Sequence, residues 1–340
     1  MGAIGVLTAG GDCPGLNAAI RGVVTRITAE GRTVIGIEEG WHGLMVGTTR
    51  PLTRDDVRGV LGRGGTILGT SRRDPYVHGD GIESVRETIE RLGIETVVVI
   101  GGDGSLRTAA QLQADGLPVV GVPKTIDNDI GHTDVSLGFH TAVQIVVDAI
   151  DRLTTTAESH NRVMVVEVMG RTAGWIAVAG GMAGGAEAVL VPEVEVDFED
   201  LAQRIMSRHT EGHDYSLVVV AEGTPGPSGD ISASGIDQYG FSRIGGICQE
   251  VASEIERLTG FEARPVILGY LQRGGTPTAF DRILGTRFGV RAAELSMVGE
   301  TGVMVALRGD DIETVDLAVA VAEPRNLDIA RLDEAAWFFA

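Results

Sequence analysis

Short runs of β-branched and aliphatic residues alternate with stretches of helical spacing along most of this chain. Runs such as Thr96–Ile100 and Ser216–Ala221 are apolar on both faces, which is typical of strands buried inside a parallel sheet. Stretches such as Leu16–Glu30 and Pro277–Val298 have the spacing of amphipathic helices. Because parallel strands need crossover connections, this alternation predicts an α/β fold with helices on both faces of mainly parallel sheets.

The same pattern sets the element boundaries. The predicted strands are Ala3–Thr8, Thr33–Ile37, Thr96–Ile100, Pro118–Val122, Arg162–Val168, Val189–Pro192, Ser216–Ala221 and Pro265–Gly269. The predicted helices are Leu16–Glu30, Ser84–Leu92, Leu106–Asp115, Gly138–Thr155, Asp197–His209, Ile244–Leu258 and Pro277–Val298.

Composition limits the class of protein and its partners. A chain of 340 residues with 43% hydrophobic residues could form one large domain, but two domains of ordinary size are favoured, with a substantial core. A net charge of −19 argues against nucleic acid or an anionic membrane surface as a partner. The two cysteines make neither a disulfide framework nor a zinc pattern. Without a membrane-length apolar run or a signal-peptide pattern, the expected location is the cytoplasm.

Two glycine-rich turns follow predicted strands and precede predicted helices. Such turns, Thr8–Asn17 and Val97–Ser105, let backbone N–H groups and the helix dipole face an anion. The first has neither P-loop nor GxGxxG spacing, and a plain tight turn is the alternative interpretation. In the second, Asp103 lies at the carboxyl end of a strand, where a carboxylate can engage Mg²⁺, although it could serve only as a helix N-cap.

The chain has 27 arginines and a single lysine, Lys124, followed by Thr-Ile-Asp-Asn-Asp to residue 129. An ammonium is a compact point charge suited to a phosphoryl group, and a carboxylate beside it can take a proton from a hydroxyl. Asp127 and Asp129 are separated by one residue, so only one is expected to face the ligand. A codon bias that spared one lysine and an Asx-rich turn are the alternatives.

Three arginine segments could supply the cations that an anionic substrate needs in an acidic protein. They are Gly69–Arg73, Glu167–Arg171 and Gly269–Gly275, each with glycine beside the arginine. Arginine binds phosphate with two parallel hydrogen bonds, and glycine allows a close approach.

Together these segments resemble the phosphofructokinase family, in order along residues 3 to about 310. The motifs that carry the resemblance are Gly10–Asn17, Gly101–Ser105, Pro123–Asp129, Val168–Arg171 and Leu271–Gly275. The resemblance implies two Rossmann-like three-layer α/β/α domains with mainly parallel sheets and an active site in the cleft between them. The donor domain would comprise residues 1–138 and about 255–305, and the sugar-phosphate domain residues 139–254 and about 306–340.

The implied activity is a phosphotransferase, a 6-phosphofructokinase of glycolysis that phosphorylates the 1-hydroxyl of fructose 6-phosphate. Asp127 would be the general base, Asp103 would engage Mg²⁺, and the other expected catalytic residues are Lys124, Thr125 and Arg171. The expected donor-binding residues are Gly11, Arg72, Arg73, Gly102, Asp103, Gly104 and Ser105. The expected sugar-binding residues are Thr125, Ile126, Asp127, Met169, Gly170, Arg171, Glu222 and Tyr270, with Arg162, Arg264 and Arg273 on the 6-phosphate.

The phosphoryl donor depends on two positions that point in opposite directions. Members that use pyrophosphate tend to have Asp where this chain has Gly104, and Lys where it has Lys124. A side chain at 104 would occupy space needed by the α-phosphate of ATP, so Gly104 favours ATP. This mixed pair resembles an actinobacterial group, and ATP is preferred because steric exclusion discriminates more strongly than an added charge. Pyrophosphate remains the alternative donor.

Other features bear on the acceptor and on assembly. Tyr270 and Thr172 stand where the family usually has His, so a related sugar phosphate such as sedoheptulose 7-phosphate is an alternative acceptor. Arg162 and Arg264 typically reach in from a neighbouring subunit, which implies a homotetramer or homodimer. A nicotinamide-dependent oxidoreductase would need the GxGxxG spacing, which the first turn lacks. A sugar-phosphate sensor could keep the arginines but would not need Asp103, Asp127 and Lys124.

Overall fold

A computed structural model describes residues 2–77, 79–236 and 242–337. The strands in these residues are β1 (Ala3–Ala9), β2 (Val34–Ile37), β3 (Thr49–Leu52), β4 (Ile94–Gly101), β5 (Val119–Thr125), β6 (Leu137–Gly138), β7 (Val163–Val168), β8 (Ala188–Leu190), β9 (Ser216–Ala221), β10 (Ala233–Ile236), β11 (Ser242–Ile244), β12 (Ala263–Ile267), β13 (Val303–Arg308) and β14 (Asp311–Asp316).

The helices in the same residues include every predicted one. They are α1 (Leu16–Ala29), α2 (Trp41–Val46), α3 (Gly81–Leu92), α4 (Asp103–Ala114), α5 (Phe139–His160), α6 (Trp175–Gly184), α7 (Phe198–Thr210), α8 (Ile247–Thr259), α9 (Ala279–Val298), α10 (Leu317–Ala320) and α11 (Ile329–Ala336), with a 3-10 helix over Gly269–Arg273. Among these helices, we find none that combines the length and the apolar character needed to cross a membrane.

The larger sheet has the strand order β14-β13-β5-β4-β1-β2-β3, and the short strand β6 also pairs with β5. Its central strands are parallel, and every residue of β1 is buried. Both outermost strands are antiparallel to their neighbours. The predicted α/β fold with mainly parallel sheets is therefore confirmed, and the antiparallel edges are an addition to it.

The smaller sheet is wholly parallel, in the order β12-β7-β9-β8. Strands β7 and β9 lie at its centre and are buried along their whole length. A separate antiparallel pair, β10 and β11, precedes α8. The carboxyl ends of β7 and β9 therefore lie side by side.

The chain forms two compact units, each with its own hydrophobic core. The first unit contains Met1–Thr141 and Arg273–Arg325, and the second contains Ala142–Gln272 and Asn326–Ala340. The core of the first includes Leu7, Val99 and Leu106, and that of the second includes Val165 and Val218.

These bounds differ from the predicted domains by three residues at 139–141 and by longer segments at residues 255–272 and 306–325. Residues 263–267 form β12, which pairs with β7 of the second unit, whereas β13 pairs with β5 of the first. In each of the longer segments, strand pairing determines which unit the chain joins.

Candidate active site

The first glycine turn joins β1 to α1, and the segment around residues 63–73 packs against it. Gly10 has a φ of 82°, a left-handed conformation that favours glycine. Its N–H donates to the carbonyl of Ser71 at 3.0 Å, and the Thr70 hydroxyl donates to its carbonyl at 2.6 Å. The predicted donor residues Arg72 and Arg73 directly follow this pair of contacts, so they are close in space to the turn.

A buried asparagine on α1 holds the same segment from the other side. Asn17 Nδ2 donates to the Arg63 carbonyl at 3.0 Å, and Asn17 Oδ1 accepts from the Ile67 N–H at 2.8 Å. The asparagine side chain is fully buried. Sequence reasoning placed Asn17 in a motif but gave it no role; its position one residue into a helix, after a run of glycines, was the available signal.

The second turn ends β4 and begins α4 at Asp103. The carboxylate of Asp103 accepts a hydrogen bond from Arg107 Nε at 2.9 Å, one helical turn further on. A Cβ added at Gly104 would meet no other atom within 4 Å. The structure therefore leaves open space at Gly104, next to the carboxylate that was predicted to engage a metal ion.

Lys124 is the penultimate residue of β5, and its side chain is 2% exposed. Its Nζ donates to the Ala9 carbonyl at 3.2 Å and also to the Gly11 carbonyl. Burial lowers the pKa of Lys124, because removal from water disfavours the charged amine. The ammonium therefore binds the backbone of the first turn; a contact with a phosphoryl group stays a prediction.

The carboxylates after β5 lie in two different environments. Asp127 is half-buried, and its N–H donates to Thr125 Oγ1 at 3.1 Å, which fixes the loop at the strand end. Asp129 is also half-buried, and its Oδ1 is a buried atom with no hydrogen-bond partner among the described residues. Burial, followed by the negative charge of Asp127, raises the pKa of Asp129 to about 7.

These oxygens are compatible with a magnesium ion. Mg²⁺ prefers oxygen ligands and usually keeps several waters, using one or two carboxylates together with substrate phosphates. In the part of the chain that the structure describes, no group of three or more metal-ligating side chains is present. Besides burial, the negative charges of Asp127 and Asp103 both contribute to the raised pKa of Asp129, so a cation near its unpartnered oxygen would reduce the repulsion between these carboxylates. Asp103 would hold such an ion together with the phosphates of a donor.

Arg273 belongs to the first unit, where its guanidinium lies against Gly11. A Cβ added at Gly11 would meet Arg273 Nη1, and the same nitrogen lies 3.4 Å from the Asp12 carbonyl that accepts from it. The structure thus brings Arg273 together with Gly11 and Lys124. Its predicted contact with a sugar 6-phosphate is not tested by this geometry.

In the second unit, three predicted sugar-binding positions meet at the ends of β7 and β9. The Glu222 N–H donates to the Val168 carbonyl at 2.8 Å, and the Gly223 N–H donates to the Gly170 carbonyl at 3.1 Å. The Met169 N–H donates to Oε1 of Gln272 at 3.2 Å. Gln272 is fully buried. It was not predicted as a site residue, because only its neighbour Arg273 was given a role in that motif.

The other two predicted 6-phosphate arginines share one carboxylate in this unit. Arg162 Nε donates to Glu262 Oε2 at 2.9 Å, and Arg264 also pairs with Glu262. Tyr270 follows β12 and is 80% exposed. Glu262 was missed, although a carboxylate two residues before Arg264 was a visible signal.

Glycine turns after parallel strands, a carboxylate at a helix start and arginines near other strands are features that phosphate-binding α/β enzymes share. The chain belongs to the phosphofructokinase family, whose model, described as Phosphofructokinase, matches residues 3–296. The resemblance drawn from the motifs is thereby confirmed. With this family, the chain belongs to the phosphotransferases that act on a sugar hydroxyl.

Named relatives include users of both donors. The chain is 52% identical over 335 residues to the ATP-dependent 6-phosphofructokinase 3 of Streptomyces coelicolor, with 98% of each chain covered. It is 50% identical over 339 residues to the pyrophosphate–fructose 6-phosphate 1-phosphotransferase of Amycolatopsis methanolica, with 99% of each covered. Overall identity therefore does not separate the two donor types.

A solved structure agrees with the fold. The phosphofructokinase of Pichia pastoris in the T-state superposes with a TM-score of 0.83 at 33% identity. The match covers 94% of this chain and 35% of that longer one, so this chain corresponds to about a third of its length.

Proposed function

We propose that this protein is an ATP-dependent 6-phosphofructokinase of glycolysis, which converts fructose 6-phosphate to fructose 1,6-bisphosphate. Family membership supports the reaction type, and the relative from Streptomyces coelicolor carries the name of this activity. The observation that carries the choice of ATP is the open space at Gly104, where a Cβ would meet nothing within 4 Å. A nucleotide phosphate can occupy that space, whereas a larger side chain would fill it.

In the proposed reaction, the 1-hydroxyl oxygen attacks the γ-phosphorus of ATP. Its bond to that phosphorus forms as the bond from phosphorus to the bridging oxygen breaks, and ADP leaves. Asp127 takes the hydroxyl proton. The hydrogen bond from the backbone N–H of Asp127 to Thr125 Oγ1 fixes the loop that carries this carboxylate. A magnesium ion, held through Asp103, would neutralise charge on the donor phosphates when bound.

The remaining proposed roles are divided between the two units. In the first, Gly11, Arg72, Arg73, Gly102, Gly104 and Ser105 would line the donor site. In the second, Met169, Gly170, Arg171, Glu222 and Tyr270 would bind the sugar, with Arg162 and Arg264 on its 6-phosphate and Arg273 of the first unit as a third arginine. Ile126, which is buried beside Asp127, would line the sugar site with its backbone.

Two alternatives have specific support. Lys124 and the name of the Amycolatopsis relative favour pyrophosphate as the donor. Tyr270, exposed where the family usually has His, favours a broader acceptor range that includes sedoheptulose 7-phosphate. We further propose a cytoplasmic location. We also propose a homotetramer or homodimer, because arginines at the positions of Arg162 and Arg264 typically reach in from a neighbouring subunit in this family.

A coupled assay with both donors and both acceptors tests this proposal directly. We expect Mg²⁺-dependent formation of fructose 1,6-bisphosphate with ATP and little product with pyrophosphate. Comparable or greater activity with pyrophosphate would assign the enzyme to the other donor type. Faster turnover of sedoheptulose 7-phosphate than of fructose 6-phosphate would replace the acceptor.

The variant Gly104→Asp tests the observation that carries the donor. Because the protein itself leaves room for a side chain there, and an acid suits the first turn of a helix, the variant should fold. We expect kcat/KM for ATP to fall by roughly 10–100-fold, with a smaller loss for pyrophosphate. Gly104→Ala is the matched control and should lose much less. Equal losses with both donors in Gly104→Asp would remove position 104 from donor selection.

A further inference from the structure

The carbonyl oxygens of the first glycine turn are bound by side chains from three other segments. Lys124 Nζ donates to the carbonyls of Ala9 and Gly11, and the Thr70 hydroxyl donates to that of Gly10. Arg273 donates to the carbonyl of Asp12 at 3.4 Å. Four consecutive carbonyls in a proposed phosphate site therefore have side-chain donors, and three of them accept from a cation.

This arrangement matters because a carbonyl oxygen and a phosphate oxygen repel each other. A carbonyl turned toward the donor would present partial negative charge, whereas a backbone N–H would attract the anion. A glycine turn can adopt either orientation, since glycine at Gly10 allows a left-handed conformation without steric cost. Cations on the carbonyl side, the buried Lys124 and the half-buried Arg273, select one orientation.

We propose that Lys124 is a positioning residue, which holds the turn over residues 9–12 with its carbonyls inward, so that the N–H groups after Gly10 can face the donor phosphates; the Gly10 N–H itself is bound to Ser71. The inference rests on the proposed function, because it assigns this turn to the phosphoryl donor. It differs from the sequence-based prediction that the ammonium itself contacts the transferring group. Lys124 would act on every donor through the backbone of the turn.

The surroundings of Lys124 fit this role better than a contact with substrate. Its side chain is 2% exposed, and its ammonium is occupied by two carbonyls of the protein. The position of a Cβ on Gly10 would lie 3.8 Å from Lys124 Nζ and 3.1 Å from Ser105 Oγ, so the space beside the ammonium is confined. Lysine suits such a site, because a slim stem carries three donors that two nearby carbonyls can share.

The variant Lys124→Met removes the donors and keeps a similar length. First, hydrogen–deuterium exchange is measured on the enzyme without any ligand. We expect the peptide over residues 8–15 to exchange about tenfold faster than in the wild type, because two carbonyls lose their partner. Peptides of the smaller sheet should not change. Unchanged exchange over residues 8–15 would overturn the proposal.

Steady-state kinetics provide a readout that general damage to the fold would not produce. We expect the KM for the phosphoryl donor to rise about tenfold, with kcat within about threefold and the KM for fructose 6-phosphate unchanged. A fall in kcat of about 100-fold or more at unchanged donor KM would instead show a contact made in the transition state. That result would also overturn the proposal.

Thr70→Val is a second, uncharged variant that acts on the same turn. It removes only the hydroxyl that donates to the Gly10 carbonyl, so we expect the same changes in exchange and donor KM with smaller size. If Lys124→Met does not fold, the proposal is tested with Thr70→Val alone. In that case, an exchange rate over residues 8–15 and a donor KM equal to those of the wild type would reject the proposal. The exchange measurement needs no donor, and the kinetics use whichever donor the enzyme accepts. A failure of the ATP proposal is therefore distinguishable from a failure of this one.

Discussion

The first glycine turn, in the first unit, and the arginine pair Arg162 and Arg264, in the second unit, hold their positive charges in different environments. Around the turn, Lys124 is almost wholly buried and bonds to backbone carbonyls. In the second unit, Arg162 and Arg264 are partly exposed and share the carboxylate of Glu262. One region fixes its backbone through the buried Lys124 and the half-buried Arg273. The other pairs its arginines with partly exposed carboxylates, Glu262 for both and also Glu256 for Arg264.

The two regions differ in the free energy that is lost when a contact breaks. A buried carbonyl that loses its donor keeps the full penalty of its burial, so the turn is held in one conformation. An exposed ion pair contributes little and exchanges partners readily, because water stabilises the separated charges. The first region is therefore expected to keep one geometry, whereas the arginines of the second region can change partners more readily.

The largest effect should come from the proposed base beside the rigid region. We expect Asp127→Asn to lower kcat by about 10²–10⁴-fold, because an amide cannot take the proton of the 1-hydroxyl. Initial rates in the coupled assay measure this loss, with Asp151→Asn on the exposed face of α5 as a control at wild-type rate. A near-normal kcat for Asp127→Asn would remove it from the role of base.

A second variant tests a contact of the same region that is uncharged in the wild type. Asn17→Asp removes the donors to the carbonyls of Arg63 and Gly64 and buries a carboxylate against them. We expect the free energy of unfolding to fall by about 1–3 kcal/mol. Urea denaturation measures it, and the exposed Asn161→Asp is the matched control. Equal stability of the two variants would show that the segment over residues 63–67 is held by other contacts.

The pH dependence of stability tests the buried carboxylate at residue 129. Burial raises the pKa of Asp129 to about 7, so between about pH 4 and pH 7 the native state binds more protons than the unfolded state. Stability from this group is therefore present at low pH and is lost as the pH rises through 7. Asp129→Asn does not ionise and escapes the loss.

Thermal unfolding without Mg²⁺ at pH 5.5 and pH 8.5 measures this difference. We expect the Tm of Asp129→Asn minus the Tm of the wild type to be larger at pH 8.5 than at pH 5.5. The same difference for Asp151→Asn should stay flat. A constant difference for Asp129→Asn as well would mean that Asp129 titrates near the ordinary range of an aspartate.

The smallest effect should arise in the exchangeable region. Glu262→Gln removes the charge that Arg162 and Arg264 share, so a sugar phosphate no longer has to displace a carboxylate. We expect the KM for fructose 6-phosphate to fall about two- to fivefold at unchanged kcat. Glu254→Gln, which affects only the neighbouring pair with Arg257, is the control. A higher KM in Glu262→Gln would show that the carboxylate orients the arginines for phosphate.

Sequence pattern was sufficient for most central strands and insufficient for the edges and for one interior strand. The buried strand β13, which pairs in parallel with β5, was not predicted although it is largely apolar. Strands buried on both faces, such as β4 and β9, are continuous apolar runs, and all eight predicted strands are present. The antiparallel strands β3 and β14 were not predicted. Strand β3 has only four residues, one of which is proline, and strand β14 alternates acidic residues with other side chains. Edge strands of this kind lack the apolar run that marks a central strand.

The candidate site shows the same division between local and distant information. Glycine turns and the acidic segment after Lys124 are local patterns, so sequence reasoning identified them and the family they belong to. The bonds of Lys124 to Ala9 and Gly11 join residues more than 100 positions apart. Such contacts depend on which strands become neighbours, and the periodicity of the chain does not encode that order directly.

The burial of Lys124 has a consequence for chemical labelling. Because the chain contains a single lysine, a reagent that acylates side-chain amines has one target, and that target is closed while the turn is intact. The rate of acylation at this position would count the openings of one turn in a protein of 340 residues. No engineered probe is needed, because no other residue of the chain carries a side-chain amine.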